Sequence, residues 1–259
     1  MTRREGPSIS VFFPAYNDAG SLPALVSKAF QTLETITHDF EVIVVNDGSQ
    51  DDTGNVLTQL RGALGPRLKV VTHPENRGYG GALRTGFETS SKEWVFYTDG
   101  DGQYDVGELT RLWQARAPDT GLVNGYKLER QDPWHRVLIG RVYNRAAKLL
   151  FRIRLRDIDC DFRLIRRALI SGAHLTSTSG TICVELVRKL EQTGCGVKEV
   201  GVHHYPRLYG RSQFFRWRSL WSTFRQLFRL WLDLVFKPNL KALLAYLHVR
   251  TDEQSETGS

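Results

Sequence analysis

Asp99 and Asp101 in "VFYTDGDGQYD" (95–105) are two carboxylates two positions apart, placed straight after an apolar run and followed by Gln103. Two like charges at that range raise each other's pKa and destabilise the fold unless a cation lies between them. Asp99, Asp101 and Gln103 offer oxygen ligands only, the set that suits Mg²⁺ or Mn²⁺. Three protein oxygens leave coordination positions for a diphosphate, so the metal is expected to arrive with a nucleotide. Gly100 and Gly102 are expected to keep this backbone loose and uncrowded. The competing reading is a solvated acidic turn, and the rest of the chain decides between them.

Three other polar stretches raise similar questions. Asp47 ends the apolar run "FEVIVVN" (40–46) and could accept from the N–H edge of a nucleobase. It could instead cap the next helix, a task that Ser49 or Asp51 fits better, which leaves Asp47 spare. "NRGYGG" (76–81) brings Arg77 and backbone amides to a helix start, a setting suited to anions. It lacks the GK[ST] ending of a P-loop, and no GxGxxG follows the first strand, which argues against a nicotinamide enzyme.

The elements that must hold these residues alternate. "SISVFF" (8–13), "FEVIVVN" (40–46), "RLKVVTH" (67–73) and "EWVFYT" (93–98) read as strands. Helical stretches run from about Ser21 to Thr35, over "DDTGNVLTQLRGAL" (51–64) and over "GGALRTGFETS" (80–90). Continuous apolar strands separated by helices predict an α/β fold with a mainly parallel, nucleotide-binding sheet flanked by helices. Ligands bind beyond the carboxyl ends of such strands. "PAYND" (14–18), "NDGSQDDT" (46–53), "HPENRGYGG" (73–81) and "DGDGQYD" (99–105) all fall there and describe a cleft.

Charge divides the chain. Residues 1–126 carry 11 Lys+Arg against 16 Asp+Glu, net −5, and residues 127–259 carry 24 against 12, net +12. A basic half of that size points to phosphate, whether in a substrate, a lipid or a nucleic acid. Cys160, Cys183 and Cys195 form no CxxC and are odd in number, which argues against a disulfide framework or a zinc site and fits a reducing cytosol. "MTRREGPSIS" has no hydrophobic segment, so no secretory signal is expected. His174, His203 and His204 read as structural.

Two apolar stretches interrupt the basic half. "RVLIGRVYNRAAKLLFRIRLR" (136–156) sets Val137, Leu138, Val142, Leu149 and Leu150 among Arg136, Arg141, Arg145, Lys148 and Arg152. In "SLWSTFRQLFRLWLDLVF" (219–236), helical spacing puts Trp221, Phe224, Leu227, Phe228, Trp231 and Val235 on one face. Arg229 and Asp233 interrupt the run, so it is expected to lie in a membrane interface rather than span a bilayer, with packing on the domain's own core as the competing reading. The expected organisation is a catalytic domain over 1–215, amphipathic membrane-interface helices over 216–250 and a disordered tail over 251–259.

"PAYND", "VVNDGS", "NRGYGGALRTG", "TDGDGQ", "DIDCDFRLIRR" and "RLYGRS" come in the order found in family-2 glycosyltransferases of the glycosyltransferase-A fold. Within that family the chain most resembles the polyprenyl-phosphate (dolichyl-phosphate) mannosyl- and glucosyltransferases, over roughly residues 8 to 215, which makes 1–215 the expected glycosyltransferase catalytic domain. The resemblance implies that Pro14, Tyr16 and Asp18 line a nucleoside pocket with Asp47, with Asp18 standing where Glu is common. It implies that Asp99, Asp101 and Gln103 bind the metal, with Arg163 near the acceptor phosphate and Arg207 facing the diphosphate. Asp161 stands where Gly is usual, and Gln213 where Lys is usual, with Arg211 as compensation. It also implies an inverting transfer from a donor of GDP-mannose or UDP-glucose type to a polyprenyl phosphate. Such an enzyme would be cytoplasmic, peripheral on the inner face of an anionic membrane, with no nucleic-acid partner.

A phosphate monoester with its second pKa near about 6 is already a nucleophile at neutral pH and requires no general base. It does require cations to bring two anions together, the work assigned to Arg163, Arg207 and Arg211. The alternatives are a hydroxyl acceptor, which requires a base, and a non-catalytic nucleic-acid or lipid-binding module.

Overall fold

The structure, a computed structural model, describes residues 7–128, 134–206 and 225–240. The chain runs β1 (Ile9–Ala15), α1 (Leu22–Ile36), β2 (Phe40–Asn46), α2 (Thr53–Leu64), β3 (Leu68–Thr72), α3 (Tyr79–Thr89) and β4 (Trp94–Thr98). There follow α4 (Leu109–Gln114), β5 (Thr120–Lys127), α5 (Trp134–Phe151), β6 (Phe162–Arg166), α6 (Arg167–Ser171), α7 (Thr181–Gln192) and β7 (Gly196–Val202). A last helix occupies 225–240, with a π-helical turn at Leu232–Phe236.

The seven strands form one sheet in the order β3-β2-β1-β4-β6-β5-β7. β1 pairs in parallel with β2 and β4, β2 with β3, and β5 with β7. β6 is antiparallel to both β4 and β5, so the sheet is mainly but not wholly parallel. The four strands read from the sequence are the four parallel ones around β1.

The continuous apolar strands have the expected cause, because both faces of the sheet are covered. Val11 and Phe13 pack with α1 residues Leu25, Val26 and Leu33. Phe12, between them, points the other way, into a second core with Leu83, Phe87, Phe151, Ile182 and Leu186. Each fully buried side chain of this kind contributes about 1.5–3 kcal/mol.

The basic half joins that second core. Ala147 and Phe151 of α5 are buried in it, as are Leu230 and Val235 of the last helix, with Leu227, Trp231 and Leu234 packed alongside. The expectation of one uniform apolar face is corrected here. Trp231 and Val235 face the core, while Phe228, Phe236 and Leu240 are exposed. The π turn at Leu232–Phe236 rotates the side chains after it, while Phe228, before the turn, simply lies on the solvent side of the helix. On α5, Val142 and Leu149 are 62% and 81% exposed beside the exposed Arg141, Arg145 and Arg152. Among the described residues no helix is long and apolar enough to cross a membrane. Arg207, Arg211, Gln213, Trp221, Phe224 and the tail 251–259 lie outside the described residues.

Candidate active site

The loops after β1 to β4 meet at the carboxyl edge of the sheet and are tied together bond by bond. Asp47 N donates to Ala15 O (2.9 Å), His73 N to Asn46 O (2.9 Å) and Gly100 N to Pro14 O (3.1 Å), so each loop leaves its strand against its neighbour. Asn17, at φ 58°, spans the first two loops. Its amide N–H donates to Ser49 Oγ (3.0 Å), and its side-chain oxygen accepts from Gln50 N (2.8 Å). Asp18 is buried and Oδ2 accepts from Tyr16 N (3.0 Å), while its own N–H donates to Thr53 Oγ1 (3.2 Å). Pro14, Tyr16 and Asp18 thus shape one wall of the cleft.

Asp47 does no capping, as expected. Asp51 Oδ1 accepts from Thr53 N (3.1 Å) at the start of α2. Asp47 is buried, and Oδ1 accepts from Arg77 N (2.9 Å) and pairs with His73 Nδ1 (2.6 Å). The Arg77 side chain is exposed. His73 is a site residue that motif and spacing do not single out. Its signal is position alone: it follows β3 at the edge where the other three polar loops emerge.

The acidic loop is tighter than its glycines suggest. Gly100 is buried, and a Cβ there would lie 2.7 Å from Pro14 O. The expected loose backbone is therefore corrected: glycine is required because the loop presses on β1. Ser21 Oγ closes the same contact by donating to Gly100 O (2.7 Å). Asp101 is buried and Oδ1 accepts from Gln103 N (3.0 Å). Gln103 is clamped to the end of β7 by Tyr205 N donating to its carbonyl (2.8 Å) and by its Nε2 donating to Tyr205 O (3.0 Å).

Asp99 Oδ1 accepts from the Tyr79 hydroxyl (2.7 Å). Burial, then the charges of Asp161 and Asp101, push its carboxyl well above the ordinary range, while the Tyr79 hydrogen bond and Lys127 pull the other way. Asp161, from outside the acidic loop, adds its charge to that of Asp101 at Asp99. Among the described residues no group of three or more His, Cys, Asp or Glu is placed to hold a metal ion. Asp99 and Asp101 offer oxygen donors only, and with two protein groups they fit a hard cation whose remaining positions are filled by a ligand's oxygens.

Arg163 departs from expectation. It lies in β6, opposite Tyr97 of β4 and Asn124 of β5, and is 0% exposed. Nε donates to Asn124 Oδ1 (2.7 Å), and the terminal nitrogens donate to Asp161 Oδ1 (2.6 Å), the Tyr97 hydroxyl and Ile158 O. Burial opposes its charge, but Tyr97 and Asp161 outweigh that and keep the guanidinium charged. No face of it is offered to a phosphate. The motif "DFR" leads into an inner strand, and its arginine serves Asp161. Asp161 Oδ1 also accepts from Cys183 Sγ (3.0 Å), whose thiol is pushed up by burial and by that carboxylate. Lys127, at the end of β5, contributes a charge that lowers the Asp99 carboxyl, and its Nζ donates to Asp159 O (2.9 Å). No motif around Lys127 marks it in the sequence, because its importance comes from the place of β5 beside β6.

The sheet is parallel from β1 to β4 and antiparallel at β6, and the acidic cluster with the braced loop wall beside it lies where such sheets bind ligands, beyond the carboxyl ends of the strands. Residues 10–172 match the family described as "Glycosyl transferase family 2". The chain belongs to that family. Solved structures of glucosyl-3-phosphoglycerate synthase from Mycobacterium tuberculosis superpose with a TM-score of 0.66 at 19% identity, over 88% of this chain and 80% of that one. That likeness establishes the glycosyltransferase-A fold. Those crystals include complexes with Mn²⁺ and uridine diphosphate, and with Mg²⁺ and uridine diphosphate. Among curated relatives, the undecaprenyl-phosphate 4-deoxy-4-formamido-L-arabinose transferase of Aeromonas hydrophila is 28% identical over 80% of this chain and 62% of its own length. The enzyme of the same name from an Enterobacter species is 27% identical over 91% of this chain and 69% of its own length. The chain thus spans less than two thirds of the first of these relatives.

Proposed function

We propose that this chain transfers a sugar from a nucleotide-sugar donor to a polyprenyl phosphate at a membrane surface. The observation that carries the reading is the pairing of a braced donor wall with an acidic cluster flanked by Lys127. The names of the curated relatives, each an undecaprenyl-phosphate transferase, support the same acceptor class. Resemblance to family-2 enzymes favours inversion and a donor of GDP-mannose or UDP-glucose type.

In this reading Pro14, Tyr16, Asp18 and Asp47 hold the nucleoside, and Arg77 approaches its phosphates. Asp99 and Asp101, with Gln103, hold Mg²⁺ or Mn²⁺. When bound, that ion supplies Lewis-acid stabilisation of the departing diphosphate. Lys127 gives the acceptor phosphate a counter-charge, a role moved here from Arg163. Arg163 instead fixes Asp161 and keeps its carboxylate from swinging onto Asp99. Arg207 and Arg211, outside the described residues, keep the phosphate-facing roles that the family resemblance implies. A phosphate acceptor has no proton to lose, and no residue is required as a base.

The membrane part of the proposal rests on the exposed Val142, Leu149, Phe228 and Phe236 with the arginines beside them. Arg225 and Arg229 also line a recess of about 400 Å³ with Thr176, Ser177 and Thr178. Polybasic attraction is worth about 1 kcal/mol per Lys or Arg near an anionic surface. The protein would then act from the cytoplasmic face as a peripheral enzyme.

A second reading, a hydroxyl acceptor, has one observation in its favour. Asp161 is a carboxylate at the cluster that could take a proton. Incubation with labelled nucleotide sugars and undecaprenyl phosphate separates the two. Label extracted into organic solvent supports the lipid acceptor, and label left in water with an added glycan overturns it.

A further inference from the structure

His73 has no part in the chemistry proposed above, yet it is buried at the sheet edge. It and Asp47 are each 3% exposed. Its Nδ1 lies 2.6 Å from Asp47 Oδ1, and its Nε2 lies 3.0 Å from Thr85 Oγ1 on α3. Arg77 N adds a second donor to the same carboxylate oxygen (2.9 Å). The loop that carries these donors is locked onto the Asp47 loop. Gly48 sits at φ +69°, and a Cβ there would meet Glu75 C at 2.6 Å. Burying an imidazole against a carboxylate sacrifices hydration for both. Such an arrangement persists where each hydrogen bond is answered, as it is here on both ring nitrogens.

The geometry has a directional result. Against a carboxylate, Nδ1 carries the proton, and Nε2 accepts the Thr85 hydroxyl. Asp47 Oδ1 then holds two N–H donors, and the carboxylate plane is set by the protein before any ligand enters. We infer that His73 is a positioning residue that fixes Asp47 as a preorganised acceptor and so sets the site's selectivity for a nucleobase with a ring N–H. Uracil and guanine present such an N–H; cytosine presents a ring nitrogen acceptor at the equivalent edge. Oδ2 accepts from no group among the described residues, which leaves it as the oxygen for the base. The inference rests on the reading that Asp47 meets the nucleobase, and it adds what holds Asp47 and what that selects.

Two amides separate this role from simple packing. The nitrogen of an Asn side chain falls near the place of Nδ1, and that of Gln near the place of Nε2. Calorimetry on the full chain with Mn²⁺ would compare UDP, GDP and CDP. The preferred one of UDP and GDP should bind His73→Gln and His73→Leu roughly tenfold more weakly, the scale of one hydrogen bond to a charged group. The preference over CDP should shrink with it. His73→Asn should keep both affinity and preference, and Mn²⁺ affinity without nucleotide should stay unchanged in all three. If Asn and Gln variants bind alike with the wild-type preference while Asp47→Asn loses it, His73 does not position Asp47 and the inference falls. If Asp47→Asn also keeps the wild-type preference, the nucleobase reading of Asp47 itself falls. Should His73→Leu fail to fold, the contrast between the Asn and Gln variants still decides the matter.

Discussion

At the carboxyl ends of β1 to β4, the polar groups of one loop are bonded by the next: Asn17 to Ser49, Asp47 to His73 and Arg77, Gly100 to Pro14. On α5 and the last helix, large apolar side chains stand in solvent beside arginines. The acidic half, net −5, contains the braced region, and the basic half, net +12, contains the open one. The difference matches what the two proposed partners, a nucleotide and a membrane surface, would require. A small nucleotide is selected by groups held in place beforehand, since ordering them on binding would cost affinity. A fluid, charged surface is met by apolar area and long-range attraction, for which fine placement matters less.

The largest effect should come from the acidic loop. Asp101→Asn is expected to reduce sugar transfer by at least about a hundredfold, the scale of losing a group that stabilises transition-state charge. Its melting temperature should change little. Turnover near that of the wild type at saturating Mg²⁺ and Mn²⁺ would remove Asp101 from the site.

Arg163→Met tests the brace behind the cluster. Removing one partner of a buried ion pair typically costs about 3–5 kcal/mol, because the other charge is left unpaired. Denaturant unfolding should show a loss of that order, and Arg163→Met with Asp161→Asn should recover part of it. Strict additivity of the two changes would show that Arg163 does not act through Asp161. Arg207→Ala, by contrast, should lose transfer while nucleoside binding persists. Unchanged diphosphate affinity and rate would make it a surface residue.

Smaller effects are expected on the open side. Flotation on anionic vesicles should bind the wild type, weaken with salt and weaken further for Leu149→Ser with Phe228→Ser. Exposed charges are screened within about 8 Å at physiological ionic strength. These positions are chosen over Trp231, whose side chain packs on the second core and would report stability instead. A wild type that stays in the soluble fraction at low salt would end the membrane proposal.

The smallest is a pH effect on metal-free protein. Asp99 binds its proton more tightly folded than unfolded, since burial and the neighbouring carboxylates raise it. The folded state therefore holds more protons over that window, and stability falls as pH rises from the ordinary carboxylate range toward the raised value. Asp99→Asn should flatten this slope and melt higher at neutral pH. An identical pH profile in the two proteins would mean that Asp99 is not under that strain.

Much of this molecule is legible in the residues. Apolar runs bounded by polar turns locate β1 to β4 and α1 to α3, because burial on both faces of a parallel sheet leaves a continuous signal. The rule that ligands gather beyond the strand ends then places Asp18, Asp47, Asp99 and Asp101 in one cleft. Local pattern also suffices to mark the basic half as amphipathic.

Tertiary structure alone decided the rest. β6 runs antiparallel between β4 and β5, and no local pattern announces which neighbours a strand will take. That pairing buried Arg163 opposite Tyr97 and Asn124 and left no face of it for a phosphate. The bond between Asp47 and His73 spans 26 positions of chain and exists because β2 and β3 lie side by side. Spacing along the chain can name residues fit for chemistry. Which of them touch is settled by the order of strands, since contacts between distant residues depend on how the whole sheet assembles.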